Sequence, residues 1–421
     1  MFKTIQEVNK YLSQLGLFKM KLGLDRVQAG LKKINLNPDF CPIVHIVGTN
    51  GKGSTAHFLE SLSRSHGLKT GLFTSPHLIS VKERIKINNT TLSNEEWIES
   101  ANYILQNCKS LKLTYFEFIF LLACFIFKEH KVDIAFFEAG LGGKFDATNV
   151  LYPFITLFTP ISLDHTQILG SNISQIAQDK AGVIKKSLVV SAKQTSTAKS
   201  ILIETAKNKN VLFKYAPDYS IVTDNCLIYY PWEMNLPISP YLLDFQKENL
   251  QLVFSAWDAI VSFFQLKTSS QLILEAINNT FIMGRLQQVS KDPDIYLDVA
   301  HNPAALSLLK KTLSKLKIFP QTVVFSCLKD KDIQTMLKIL KEISPNIYFC
   351  QIPSNSRSLL AQDISSKFNL PFFSSIKQSL NYSSQQKSVL FCGSFYLLSE
   401  IFKLKPRWQN INFLLKKNKN F

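Results

Sequence analysis

From residue 43 onward, short apolar runs alternate with longer stretches of helical periodicity, and no other feature of this chain narrows its fold so far. "PIVHIV" precedes a helical segment that begins after Ser54, and "TGLFT" precedes helices over 94–108 and 114–130. "VDIAFFEAG" and "FITLFTPI" follow as two further runs. Runs this apolar, separated by helices, predict a parallel sheet covered on both faces. A sheet of that kind presents its ligand loops at the carboxyl ends of its strands. Gly48, Ser75, Glu138 and the pair Asp164 and His165 follow or end four of these runs, so the polar residues fall where that rule expects a site.

A less regular stretch over 209–243 carries Pro217, Pro231, Pro237 and Pro240 and predicts short strands and turns. Helices over 245–264 and 271–279 come next, and "NNTFIMGRLQQVSKDPD" reads as a boundary. Beyond it a second alternation begins: "IYLDVA", a helix from Pro303, "TVVFSC", a helix from Asp332, "NIYFC", and "SVLFCGS" leading into a final helix. The sequence therefore predicts a larger nucleotide domain over 1–284 and a smaller α/β domain over 285–421, with the basic tail "LLKKNKNF" frayed.

The 421 residues suffice for two or three domains with a sizeable core. Net charge is +17, from 48 Lys and Arg against 31 Asp and Glu, yet the lysines are spread along the chain and no zinc knuckle, recognition helix or ribonucleoprotein motif accompanies them. No nucleic-acid partner is predicted, and much of the charge excess reads as a general bias toward Lys, Asn, Ile and Phe. Seven cysteines, odd in number and never in a CxxC pair, read as reduced thiols of a cytoplasmic protein. The segment "MFKTIQEVNKYLSQL" has the pattern of an amphipathic helix and lacks a signal peptide's apolar core. "FEFIFLLACFIF" contains Glu117 and is too short for a bilayer, so it predicts a buried helix and no membrane association.

The stretch "HIVGTNGKGST" joins a run to a helix through Gly48, Thr49, Asn50, Gly51, Lys52, Gly53 and Ser54. It departs from the strict P-loop pattern twice: the first gap is short, and Gly53 separates the lysine from the hydroxyl. Its backbone N–H groups and the helix dipole suit a phosphate, and Lys52 adds a full charge. A glycine-rich turn without a ligand is the competing reading. In "FFEAGLGGKFDATNV", Glu138 ends a strand and is a candidate Mg²⁺ ligand, since hard oxygen donors suit that ion. Asp164, His165 and Lys180, from "ISLDHTQILGSNISQIAQDKAGVIKK", read with it as one metal and phosphate site.

Ten segments then occur in order: "GTNGKGST", "TSPHL", "LTYFEF", "EAGLGGKFDATN", "LDHTQILG", "DKAGVIKK", "GRLQQV", "LDVAHNP", "CLKDKD" and "CGSFYLL". In order and spacing the chain resembles the dihydrofolate synthase/folylpolyglutamate synthase family, relatives of the Mur amide ligases, over about residues 20–400. That family's phosphate loop has the short spacing seen here. The resemblance implies the Mur ligase fold, a P-loop domain with a mostly parallel sheet plus a Rossmann-like C-terminal α/β domain. It further implies ATP held by Gly48 to Ser54, Asn249, Arg285 and Asp298, and two Mg²⁺ sites involving Ser75, Glu138, His165 and Lys180, the last as a carbamate. A carbamate would turn a cation into an anion able to help hold a metal ion. Arg84, His301 and Ser394 are implied for the incoming glutamate, and Thr114, Tyr115, Phe116 and Asp146 for the pterin end. Close bacterial relatives often carry an acidic residue where "KMKLGLDRV" has Lys21.

The implied reaction is amide formation between L-glutamate and dihydropteroate or a reduced folate, by a cytoplasmic monomer. Phosphoryl transfer from ATP activates the carboxylate as an acyl phosphate, with Lys52 and Mg²⁺ offsetting charge, and the amine then attacks. Lys52, Lys180, Asp298 and His301 are the expected catalytic residues, with Asp298 and His301 orienting or deprotonating the amine. The alternatives are another Mur-type ligase, or a basic P-loop ATPase that binds nucleic acid.

Overall fold

The computed structural model describes residues 1–16, 21, 23–223, 225–238, 243–353 and 357–416. Part of the irregular 209–243 stretch, most of the loop before "LGLDRV", and the end of the basic tail at 417–421 lie outside them. Two compact units are present.

The first unit is built on an eight-stranded sheet. Its strands are β1 (Ile43–Val47), β2 (Thr70–Phe73), β3 (Ile85–Ile87), β4 (Thr90–Thr91), β5 (Ile134–Glu138), β6 (Ile155–Phe158), β7 (Leu188–Ser191) and β8 (Phe213–Tyr215), in the order β4-β3-β2-β5-β1-β6-β7-β8. From β2 to β8 every neighbouring pair is parallel, and β3 and β4 extend the sheet antiparallel. Every residue of β1 and β5 is buried, as a strand covered on both faces requires. Because β1 lies between β5 and β6, the chain leaves it in one direction first and returns to its other side later. This is the switch point at which open α/β sheets form a crevice beyond the strand ends.

One face of this sheet packs on the helices Ile5–Leu15, Asp25–Lys33, Asn94–Cys108 and Tyr115–Glu129. The last of these is apolar all round and accordingly buried. It starts at a capping box, in which Thr114 Oγ1 accepts from Glu117 N at 3.3 Å and Glu117 Oε2 accepts from Thr114 N at 2.7 Å. Glu117 also holds Arg26 in a forked ion pair, closest at 2.7 Å, which ties "LGLDRV" to this helix start. Arg26 reaches back to the Lys21 carbonyl at 2.6 Å, and the Lys21 side chain is left exposed. Rings of Phe73, Phe120 and Phe127 surround Phe137 at 5.4–5.7 Å between centroids. Helices Ile173–Ala181 and Ser196–Asn208 pack on β6 and β7 in a separate cluster. A meander of β9 (Ser220–Val222), β10 (Cys226–Tyr229) and β11 (Met234–Pro237) fills the irregular stretch, and helices Asp244–Phe264 and Ser270–Asn278 close the unit.

The second unit runs from Phe281 and also takes Leu163–Ile168, the segment carrying Asp164 and His165. Contacts therefore divide the chain four residues before the expected 284/285 boundary, and they transfer a strap that follows β6 in sequence. Its six strands are β12 (Gln287–Lys291), β13 (Asp294–Leu297), β14 (Thr322–Phe325), β15 (Asn346–Cys350), β16 (Phe372–Phe373) and β17 (Ser388–Cys392), ordered β12-β13-β17-β14-β15-β16. All pairs are parallel except β12 with β13. The segment read as a boundary thus contributes an edge strand. Gln287 is wholly buried there, and its amide donates to the carbonyls of Trp408 and Ile411 at 2.7 and 2.8 Å. Among the described residues no helix is long and apolar enough to cross a membrane.

One polar chain runs through the first unit's core. His45, on β1, donates from Nε2 to Thr148 Oγ1 at 2.7 Å, and Thr148 Oγ1 donates to Asp146 Oδ1 at 2.5 Å. Burial, aided by Lys185, pushes the His45 imidazole down to about 3 from its ordinary 6.5. The unfolded chain therefore binds a proton between those values that the native protein refuses, and lowering pH through the window favours unfolding. Urea unfolding from pH 6 to 4.5 should show a stability loss that the His45→Val variant lacks, the difference in slope approaching about 1.4 kcal/mol per pH unit. Identical slopes for the two proteins would mean that His45 takes up its proton in the native state.

Candidate active site

The carboxyl ends of β2, β5 and β1, three adjacent strands, deliver Ser75, Glu138 and the loop Gly48 to Ser54. Two features of the loop require glycine. Gly48 has φ +149° with Thr159 Oγ1 only 2.0 Å from where a Cβ would stand, and Gly51 has φ +90° with Asn249 Oδ1 2.6 Å from its own. The loop is pinned to the strap after β6: Thr49 N donates to Pro160 O at 3.0 Å, Thr49 Oγ1 donates to Ser162 O at 3.1 Å, and Ser162 N returns a bond to Thr49 Oγ1 at 3.0 Å. Asn50 Nδ2 reaches Ser162 Oγ at 3.4 Å. Helix Lys52–Ser65 then starts at Gly51 with Ser54 and Thr55 buried in its first turn, so its positive end points into this loop.

Around that helix start the first unit gathers four of the expected residues. Lys52 Nζ donates to Thr49 O at 3.0 Å, which holds the ammonium over the loop. Lys180, 4% exposed, donates from Nζ to Gly48 O at 2.8 Å. Glu138, also 4% exposed, accepts from Ser75 N at 2.9 Å, and its Oε2 lies 3.3 Å from where a Cβ on Gly53 would be. Asn249 is buried against Gly51, and its Nδ2 has no hydrogen-bond partner among the described residues. A buried donor without an acceptor costs about 1–3 kcal/mol, so its presence beside a phosphate-type loop fits a polar ligand.

The expected acid-binding residues also assemble within the first unit. Arg84, nearly buried, donates from Nε to His77 Nδ1 at 2.8 Å and lies 5.4 Å from the centre of the Tyr115 ring. The Phe116 ring fills the space where Gly140 lacks a side chain, and Thr114 caps the helix that carries both aromatics. Asp146 is a loop-holding residue here: its carboxylate takes Leu141 N at 2.8 Å, Thr148 N at 3.0 Å and Thr148 Oγ1. Arg84, expected with His301 and Ser394 for the glutamate, lies in the first unit on the short helical turn Val81–Arg84, beside the pterin-end residue Tyr115.

The second unit gathers a separate polar cluster at the carboxyl ends of β13 and β14. Asp298 is buried and spends both oxygens on backbone, Oδ2 on Leu286 N at 2.8 Å and Oδ1 on Ala300 N at 2.7 Å. Burial raises its carboxyl and Arg285 opposes the rise. These two bonds make Asp298 a brace for the Gly284 to Leu286 turn that carries Arg285, and one acceptor site stays open on each oxygen. Arg285 and His301 both approach the Phe395 ring, at 5.7 and 5.6 Å. Ser394 caps the helix Phe395–Leu404, its Oγ accepting from Tyr396 N at 3.1 Å. His165, expected beside Ser75, Glu138 and Lys180, belongs to this unit and faces Asp164 and Asp330, each at 3.9 Å. Burial lowers both His165 and His301 to about 4.

Four partners of this cluster were not singled out from sequence. Lys331 pairs with Asp164 at 2.5 Å, Arg357 with Asp330 at 2.5 Å, and Asn302 donates to Asp164 at 3.0 Å. Burial alone would raise the Asp164 carboxyl, but Lys331, His301 and His165 outweigh it and hold it well below the usual carboxylate range. The "CLKDKD" segment that follows β14 was the available signal for Asp330 and Lys331.

A glycine-rich loop at the switch point of one α/β unit, followed by a second parallel-sheet unit, defines a Mur-type ligase. Residues 284–395 match the family model described as Mur ligase, glutamate ligase domain. The chain is 30% identical over 436 residues to the dihydrofolate synthase/folylpolyglutamate synthase of Bacillus subtilis, spanning 96% of this chain and 99% of that protein. It is 32% identical over 413 residues to the protein of the same name from Buchnera aphidicola subsp. Acyrthosiphon pisum, spanning 94% and 97%. Escherichia coli FolC in complex with DHPP and ADP superposes with a TM-score of 0.86 at 28% identity, over 96% of this chain and 98% of that one. A bifunctional folylpolyglutamate synthase/dihydrofolate synthase from Yersinia pestis, complexed with AMPPNP and Mn ion, gives 0.84 at 27% identity over the same shares. The chain belongs to the dihydrofolate synthase/folylpolyglutamate synthase family and is a ligase.

Substituting Gly51→Ala forces a Cβ into the Asn249 amide at a backbone angle that side chains avoid. Binding of a fluorescent ATP analogue should weaken by about tenfold or more, equivalent to roughly 1.4 kcal/mol, with the circular dichroism unchanged. Unaltered binding would show that the loop does not cradle the nucleotide.

Proposed function

We propose that this enzyme joins the α-amine of L-glutamate to the carboxylate of dihydropteroate, of a reduced folate, or of both, using ATP in the cytoplasm. The observation that carries the reading is the loop itself: a helix start with Lys52 above it, Glu138 against Gly53 and an unpaired Asn249 amide beside Gly51. We assign the phosphates of ATP to the first unit and the amino acid, with a further nucleotide contact from Arg285, to the second.

Backbone N–H groups of Gly51 to Ser54 and the Lys52 ammonium bind the polyphosphate and offset the charge that builds as the γ-phosphoryl group transfers. The donor set suits Mg²⁺. Among the described residues no group of three His, Cys, Asp or Glu could hold a metal by itself, and Mg²⁺ typically takes one or two protein carboxylates, water and substrate phosphates. Glu138 and the Ser75 hydroxyl would hold one ion, and Lys180 as a carbamate is proposed to help hold a second; His165, in the second unit, is proposed as a metal ligand as well. Bound there, Mg²⁺ would supply Lewis-acid neutralisation of the charge that develops on the phosphates. Buried Lys180, already aimed at the Gly48 carbonyl, is well sited to act on the loop whether or not it is carbamylated.

Arg84 and Tyr115 form a cation-and-ring surface suited to the acid substrate, with Phe116 and the Asp146-held loop beside them. Transfer of phosphoryl to that acid's carboxylate gives an acyl phosphate, and the amine displaces phosphate from it. His301 and Ser394 are proposed to contact the glutamate, and Arg285 the nucleotide. The reading as a nucleic-acid-binding ATPase is replaced by the family assignment.

Mass spectrometry of reactions containing MgATP, glutamate and either dihydropteroate or tetrahydrofolate should show one added glutamyl residue with one phosphate released per amide formed. Absence of product from both acids would overturn the reading. Product from only one acid identifies which activity the enzyme has.

A further inference from the structure

Within the second unit, the hydrogen bonds of Asp164 and His301 can be counted atom by atom. A carboxylate oxygen has two acceptor sites. Asp164 Oδ1 fills both, with Lys331 Nζ at 2.5 Å and its neighbour's amide, His165 N, at 2.8 Å. Oδ2 fills one, with Asn302 Nδ2 at 3.0 Å. One site on Oδ2 remains. The His301 ring sets Nδ1 2.9 Å from Val299 O, so Nδ1 carries the hydrogen and Nε2 presents a lone pair. That lone pair lies 3.7 Å from Asp164 Oδ2. Two acceptors thus face one another across a gap too wide for a bond and with no hydrogen to share.

A group that satisfies both must bring at least two N–H or O–H donors to one atom, and beside a carboxylate a cation is favoured. Lys331 holds the opposite oxygen, so two cations would divide between two oxygens of one carboxylate. The carboxylate is nine-tenths buried, its side chain 8% exposed, and is locked by three donors from separate segments of the chain.

We propose that Asp164 Oδ2 and His301 Nε2 together form the subsite for the α-ammonium group of the incoming amino acid, with Lys331 and Asn302 positioning Asp164. The proposal rests on the glutamate-ligase reading and adds Asp164 to the residues that recognise the amine, beside Asp298, whose two oxygens each take one backbone amide. It makes the enzyme distinguish an amino acid from the same diacid without its amine. Glutamate offers an ammonium with three donors, and glutarate offers none.

Glutamate-dependent phosphate release by the wild-type enzyme tests the parent reading first. The KM for glutamate, the inhibition constant of glutarate and the KM for ATP are then measured in Asp164→Asn, Lys331→Met and the double variant, with Tm followed in each. Asp164→Asn should raise the glutamate KM about tenfold or more, the scale of a lost charge-assisted bond, and leave the glutarate and ATP constants within about twofold. Lys331→Met should keep the preference for glutamate over glutarate, because the carboxylate stays. The double variant leaves no unpaired buried charge, so it should fold with a near-native Tm and lose the preference even where Asp164→Asn alone is unstable. Parallel weakening of glutamate and glutarate would assign Asp164 a structural role only. A preference intact in the double variant, as expected if water bridges the gap, overturns the proposal outright. No glutamate-dependent release in wild type would remove the parent reading instead.

Discussion

The first unit depends on a carboxylate and a helix start packed against the same glycine. Glu138 ends a fully buried central strand, and its Oε2 stands 3.3 Å from the position a Gly53 side chain would take. An anionic side chain beside the positive end of a helix is favourable, yet it leaves no room for larger residues in the loop. The spacing of glycines follows from this crowding. Gly48 clears Thr159 and Gly51 clears Asn249, so each missing side chain brings backbone N–H groups closer to whatever the loop holds. A strict P-loop pattern search passes over this loop because the glycines answer to these particular neighbours.

Polar groups in the buried strands are placed with the same economy. His45 would destabilise an apolar strand if left alone, but the Thr148 hydroxyl accepts a hydrogen bond from its Nε2 and donates one to Asp146. The chain ties the centre of the sheet to the "DATN" loop, so loop position becomes a property of the core. In the second unit, Asp298 plays a comparable part by taking two backbone amides, one of them from Leu286 at φ +38°. A carboxylate used in this way is a brace, whatever its proximity to reactive groups. A further free acceptor in that unit belongs to Asp164, which reaches it on a strap from another part of the chain.

Much of the architecture was legible because its signals are local. The Thr114–Glu117 capping box, the apolar periodicity behind it and Asn302 before Pro303 mark helix starts within one or two residues of those observed. Buried strands such as β1, β5 and β14 announce themselves by unbroken apolar runs. The edge strand β12 did not, since "QQVSK" has neither a buried run nor clean alternation, and its burial depends on Gln287 meeting carbonyls more than a hundred residues away. The helices Ala361–Phe368 and Ile376–Ser383, short and Ser-rich, were passed over for the same want of a strong period.

The sequence by itself determined most of the element order, the mostly parallel character of the two larger sheets and the glycine-rich turn at Gly48 to Ser54, because periodicity and glycine placement act over a few residues. It also carried the family through ten ordered segments. Only the tertiary structure decided which polar residues keep company: Arg84 with Tyr115, His165 with Asp330, Lys331 with Asp164, and Asp298 with backbone alone. Those pairings join groups far apart in the chain, and each is settled by which atoms remain unsatisfied once the strands and helices have packed.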